Sequence, residues 1–173
     1  MSKTQDLRFI RTNQMLCEAF KNLLENKKFE DITIQELCDQ AYIRRATFYT
    51  HFIDKYDFFS YFIKQQRDIF SSSWNGDIKK NKNEYFIFMH EKLIDYIVDH
   101  KAMIDHVTSS NAFPILLSLL SDVVYEDVIE EFKDKNSLPE GTKSEIVAAF
   151  YSGGFIRILQ KWILCKDKKP KDQ

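Results

Sequence analysis

Residues 32–57, ITIQELCDQAYIRRATFYTHFIDKYD, decide how the chain is read. Thr33 stands three residues before Glu36, the spacing at which a threonine hydroxyl and a glutamate carboxylate cap each other's backbone N–H groups at a helix start. A short helix is expected over Ile34–Gln40, with Ile34, Leu37, Cys38 and Ala41 facing inward. A tight turn follows through Tyr42 and Ile43, the latter filling the gap between two helices. The second short helix, over residues 44–50, buries Phe48 and leads into Phe52. That leaves Arg44, Arg45, Thr47, Tyr49 and His51 on the outward face. Two short helices joined by a short turn are the unit that lays a helix into the DNA major groove.

The outward set suits that use. Arginine offers a planar fork of donors for guanine or phosphate, and Thr and Tyr add hydroxyls. Lys55 follows at the start of the next helix. At about 1.5 Å rise per residue the second helix is only about one groove wide, so few side chains reach bases and one copy binds weakly. Paired copies are therefore expected. Outward arginines on short helices also occur in proteins that never touch DNA, so a helical adaptor or co-regulator acting through protein contacts is the alternative.

Working outward, residues 1–4 read as a loose arm. Leu7, Ile10, Met15, Leu16, Ala19, Phe20, Leu23 and Leu24 form one apolar stripe of a helix over residues 5–26. Phe29 and Ile32 anchor the link that follows. Beyond Asp54 a long helix carries Tyr56, Phe59, Tyr61, Phe62 and Phe70 and stops at the polar cluster of residues 71–77. Residues 83–99 have an apolar arc too wide for a surface helix, which predicts a central position. A short helix over 100–109 precedes a longer one with Pro114 in its first turn, where proline is tolerated, running to about residue 134. Residues 134–141 are loop-like. The last helix, over 143–166, contains Gly153-Gly154, which costs about 1 kcal/mol per glycine and suggests a close helix crossing, or else a kink.

Composition agrees with an all-α chain. Of 173 residues, 44% are hydrophobic and 29% charged, with only 4 Gly and 3 Pro. The formal net charge of −1 means that no global basic field advertises a nucleic acid, and any contact must come from a local patch. Neither an apolar run of 18 residues nor a signal segment is found, so a soluble cytoplasmic protein without a membrane partner is expected. Cys17, Cys38 and Cys165 are odd in number and unpaired in spacing, and the first two read as small buried hydrophobes. Asp95, Asp99, His100, Asp105 and His106 are residue types that bind metal, but His100 and His106 straddle a predicted helix break, and a polar helix end is the expectation. With no phosphate loop and no nucleophile arrangement, neither an enzyme nor a cofactor is expected.

The run from Arg11-Thr12 through FEDITIQELCDQAYIRRATFYTHFIDKYDFF (29–59) resembles the N-terminal domain of the TetR family of bacterial transcriptional regulators. Its motif ending is Thr47-Phe48-Tyr49-Thr50-His51-Phe52-Ile53-Asp54-Lys55. The resemblance implies a three-helix helix-turn-helix DNA-binding domain at residues 1–53. A helical domain for ligand binding and dimerisation would follow at 54–173. It also implies a homodimeric, ligand-responsive repressor on a palindromic operator in double-stranded DNA. Thr33, Tyr49, His51 and Lys55 would bind phosphates, and Arg44, Arg45 and Thr47 would face the major groove. Two positions depart from the family pattern: Tyr42 replaces a turn glycine, and Arg44 replaces a small capping residue.

FYSGGFIRILQKWI (150–163) looks like the C-terminal segment of a subgroup that includes regulators of dihydroxyacetone kinase operons. The last two helices are more apolar than one core face requires. A bundle formed with a second copy would bury Leu120, Val124, Phe155, Leu159 and Trp162. Tyr61, Phe62, Tyr85, Phe88, Met89, Tyr96, Phe113 and Phe150 are candidates to line a pocket for a small-molecule effector, ordinary core packing being the alternative.

Overall fold

In a computed structural model that describes residues 3–76, 82–132 and 141–165, the first apolar stripe becomes helix α1, Lys3–Leu24. A 3-10 turn at Phe29–Asp31 leads to α2 (Ile34–Gln40), α3 (Arg45–His51) and α4 (Lys55–Ser72). Then come α5 (Lys82–Asp99), α6 (Lys101–Thr108), α7 (Phe113–Glu131) and α8 (Ser144–Leu164). The expected all-α class is observed, with no strand among the described residues. Two compact units are formed, Met1–Phe113 and Pro114–Gln173.

The first unit is built on Phe20. Its ring makes edge contacts with Phe29, Phe58, Phe59 and Phe62 at centroid distances of 6.1, 5.2, 6.0 and 5.2 Å. Each such pair adds about 0.5–1.5 kcal/mol beyond area burial, so this cluster fixes α4 and the 3-10 turn against α1. Leu16, Leu24, Ile32, Leu37, Cys38 and Phe48 are fully buried as well, and so is one polar residue, Asn13. The stripe expected on α1 is not buried throughout. Leu7 and Ile10 are 65% and 50% exposed, because the first turns of the helix run beyond the aromatic cluster.

The start of α4 is set by side-chain caps. Asp54 caps the helix by accepting from the N–H groups of Tyr56 and Asp57, both at 2.8 Å, and Asp57 Oδ2 accepts from Ile53 N at 2.9 Å. This reciprocal cap fixes the starting phase of the helix. Phe58, Phe59, Phe62 and Ile63 consequently face inward, and Tyr56 stays half out.

On α6, Met103, Ile104 and Val107 are buried, and His106 Nδ1 lies 2.9 Å from Leu24 O, satisfying a carbonyl left over at the end of α1. The wide arc of α5 is only partly enclosed: Tyr85 and Ile97 are buried, but Ile87 and Val98 are exposed. Tyr85 donates to Ser71 Oγ at 2.9 Å, beside Trp74, whose ring sits 5.0 Å from that of Phe88. Gly76 is required here, since a Cβ would lie 2.5 Å from Trp74 Cζ2.

In the second unit α7 buries Leu116, Val123 and Val128, and α8 buries Ala148, Ser152, Leu159 and Ile163. Helix α8 continues through Gly153 and Gly154, where an added Cβ would meet nothing within 4 Å. The close crossing expected at these glycines is therefore not made among the described residues. Ile146, Phe150 and Ile158, at four-residue steps around Gly154, are instead 65%, 84% and 71% exposed. The ends expected for the last two helices, near residues 134 and 166, lie outside the described residues. No helix among the described residues is long and apolar enough to cross a membrane.

Candidate nucleic-acid interface

The start of α2 is capped as its sequence requires, with Thr33 Oγ1 accepting from Glu36 N at 3.1 Å. The reciprocal half of the box is replaced, because the Glu36 carboxylate is ion-paired with Lys27. The end of α2 forms a two-bond helix stop: Ile43 N donates to Cys38 O at 3.0 Å and Tyr42 N to Asp39 O at 3.2 Å. This stop needs a left-handed residue, and Tyr42 supplies it with φ of 55°. The turn thus keeps the shape a glycine would give, at the cost of strain in a tyrosine that is 90% exposed.

Arg44 is the N-cap of α3 in extended backbone and makes no side-chain cap. The helix therefore starts one residue later than its sequence suggests. Phe48, fully buried, and Phe52 hold α3 against the aromatic core. Arg44, Arg45, Ala46, Tyr49 and Thr50 are exposed along α3 and Thr47 is half-buried, with its carbonyl accepting from Thr50 Oγ1 at 2.7 Å. Arg45 lies over the Tyr49 ring, 5.5 Å from its centroid, and its Nη2 donates to the Tyr49 hydroxyl at 3.2 Å. The pair presents a guanidinium and a phenol as one preorganised polar plate.

His51 and Lys55 are held more tightly than their place in the motif suggests. The His51 ring stacks on Phe9 of α1 at 4.4 Å with an 8° interplanar angle, and Nδ1 lies 2.8 Å from Asn13 Oδ1. Burial lowers its pKa below the ordinary 6.5 and favours the neutral ring. The Lys55 ammonium donates to Phe29 O and Ile32 O, both at 2.6 Å, and to Glu30 O at 3.3 Å, above the Phe29 ring. All three of its hydrogens serve the 3-10 turn. Burial lowers the Lys55 pKa, and Glu30 and Asp31 oppose that shift.

Of the seven residues, Arg45 and Tyr49 are paired on α3, Lys55 is bonded to the carbonyl of Ile32 next to Thr33, and His51 is bonded to α1. Phe9 and Asn13 were missed as members of this site. Their signal was an asparagine on the buried register of α1, three residues before Leu16.

Seven of the eight effector candidates belong to the first unit and Phe150 to the second. Tyr61 lies against Phe52 and Phe62 against Phe20, Tyr85 and Phe88 flank Trp74, and Tyr96 lies between Phe70 and His100. Met89 is half-buried, Phe113 is buried in the first unit, and Phe150 is exposed in the second. Of the interface candidates, Leu159 is 4% exposed, and Leu120, Val124, Phe155 and Trp162 are half-buried. Cys38 is buried, and burial pushes the Cys17 thiol up to about 12, so both behave as hydrophobes. No group of metal-ligating side chains is found among the described residues.

A capped helix-turn-helix followed by a longer all-helical remainder is the arrangement observed. Residues 84–173, just over half of the chain, match the family model TetR_C_8, described as a transcriptional regulator C-terminal region. The chain belongs to this family of TetR-type transcriptional regulators. No curated protein matches it.

Proposed function

We propose that the protein is a ligand-responsive repressor that binds a palindromic operator as a homodimer. Residues 1–53 would contact the DNA and residues 54–173 would carry effector binding and dimerisation. The observation that carries this reading is the exposed face of α3, where Arg44, Arg45 and Tyr49 project from a helix that Phe48 and Phe52 anchor rigidly. Arg44, Arg45 and Thr47 would read base edges, and Thr33, Tyr49 and His51 would hold phosphates. Lys55 would contribute by fixing the backbone beside Thr33, since its ammonium is bonded to Ile32 O.

Dimerisation follows from the exposed stripe of α8. Phe150 and Ile158 flank Gly154 one turn to either side, and a second copy packed at the bare glycine backbone would cover both. Leu120, Val124, Phe155 and Trp162 would extend that contact. The likeness of residues 150–163 to regulators of dihydroxyacetone kinase operons supports placing the chain in that subgroup. Repression would be relieved when a ligand favours a spacing of paired α3 helices that no longer matches two half-sites.

Footprinting on the DNA beside the protein's own gene tests the proposal. Two protected half-sites about one helical turn apart are expected. Absence of protection at any concentration that saturates non-specific DNA would count against it.

A further inference from the structure

Among the described residues Tyr42 alone, glycines apart, has a left-handed backbone, at φ of 55°, and its side chain is 90% exposed. The stop at the end of α2 needs that backbone but not that side chain, since glycine adopts the same conformation without strain. Nor does folding use the ring. Among the described residues the phenol makes no hydrogen bond and the ring no aromatic contact, whereas Ala41 before it is 2% exposed and Ile43 after it is half-buried. A large aromatic side chain thus stands in water at a position where it destabilises the fold. A strained residue that folding does not need points to a use outside the fold.

The place of the residue indicates that use. In a DNA-bound helix-turn-helix, the first helix crosses the sugar-phosphate backbone and the second enters the major groove with its N-terminal residues at base edges. The turn between them therefore passes over the strand that borders the groove. Tyr42 lies in that turn, two residues before Arg44 and three before Arg45, which puts its Cα within about 7 Å of that of Arg44. We propose that Tyr42 is a DNA-contact residue whose phenol hydroxyl donates to a phosphate oxygen of that strand and so helps to fix the register of α3 in the groove. The contact rests on the proposed reading of α3 as the DNA-reading helix. Arg44 and Arg45 supply positive charge beside it, and the neutral hydroxyl adds affinity without sequence preference and without releasing a counterion. The left-handed tyrosine thus lowers the stability of the free protein and raises its affinity for DNA.

Two variants of the full-length protein separate the hydroxyl from the backbone. Tyr42→Phe keeps the ring and the strain and loses only the hydroxyl, and Tyr42→Gly loses all three. Affinity is measured at low salt for the DNA upstream of the protein's own gene and for an unrelated duplex, alongside the urea midpoint of each protein. Both variants are expected to bind both duplexes about tenfold more weakly, the size of one hydrogen bond to a charged group, with the salt dependence of wild type. The urea midpoint should be unchanged in Tyr42→Phe and raised in Tyr42→Gly, so that the more stable protein is the weaker binder. Wild-type affinity in Tyr42→Phe would overturn the proposal even with Tyr42→Gly weakened, since the ring or the turn would then be responsible. A loss confined to the upstream DNA would also overturn it, because it would mean a base contact. Wild type that binds neither duplex would overturn the DNA reading of α3 and this contact with it, whereas intact wild-type binding with unaffected variants removes the contact alone.

Discussion

Tyr42→Gly should stabilise the protein, although it removes a large aromatic side chain. Tyr42 is 90% exposed, so truncation forfeits almost no packing, and its φ of 55° lies in the left-handed region. Holding a non-glycine residue there costs about 1–2 kcal/mol. Glycine removes that cost but adds about 0.4–1 kcal/mol of unfolded-state entropy to be lost on folding. The expected net gain is about 0.5–1 kcal/mol. For a domain of this size a gain of that order raises Tm by about 1–4 °C. Thermal melts followed by circular dichroism, with a urea titration to check the sign, give the answer. A fall in Tm of more than about 2 °C would refute the reasoning, because it would mean that the tyrosine ring makes a stabilising contact. Tyr42→Ala separates the terms further: it keeps the strain without the ring and should not raise Tm.

Three other perturbations address the rest of the structure. Lys55→Met removes the ammonium from three carbonyls and should cost about 1–3 kcal/mol in urea denaturation, after allowance for water reaching the vacated groups; an unchanged midpoint would show that the lysine is free for other work. Burial lowers the pKa of both His51 and His100, with Lys21 adding to the effect at His100 against Glu25 and Asp99. A histidine with a depressed folded pKa binds its proton more readily unfolded, so stability should be fully present above about pH 6.5 and be lost as pH falls below it. A double His51→Gln, His100→Gln variant should flatten that part of the Tm-versus-pH curve. Phe150→Glu changes a side chain that is 84% exposed and should leave helix content unchanged while converting dimer to monomer in sedimentation; a dimer of unaltered strength would move the interface elsewhere.

Much of the fold could be read because local signals and tertiary packing agree in the first 60 residues. Thr33 caps α2, Asp54 stands at the break before α4, and Phe48 and Phe52 face the core as their spacing requires. The phase of α4 was less legible, since Tyr56 and Phe58 are equally aromatic and only the Asp54–Asp57 cap decides which turns inward. The roles of Lys55 and His51 were hidden for another reason. Their motif positions say nothing about the carbonyls of residues 29, 30 and 32, or about Phe9 and Asn13 on a helix some 40 residues earlier, which come within reach only on folding. The aromatics of α4 and α5 illustrate the limit of periodicity. Helical spacing marks Tyr61, Phe62, Tyr85 and Tyr96 as inward, and each lies against a different aromatic ring, those of Phe52, Phe20, Trp74 and Phe70. Gly154 is marked by the sequence as a place for close approach, and among the described residues nothing would lie within 4 Å of a Cβ added there.

The most direct test of the central claim is the salt dependence of affinity for DNA from the protein's own upstream region, measured for wild type and Arg45→Ala. Arg45 is exposed, preoriented by Tyr49, and the first residue of α3. Wild-type affinity is expected to fall steeply as salt rises, in proportion to the phosphates neutralised. Arg45→Ala should lose about 1–3 kcal/mol on the specific site and far less on unrelated duplex. Salt-insensitive binding, or an Arg45→Ala protein that binds the upstream DNA as tightly as wild type, would contradict the assignment of α3 as the DNA-reading helix.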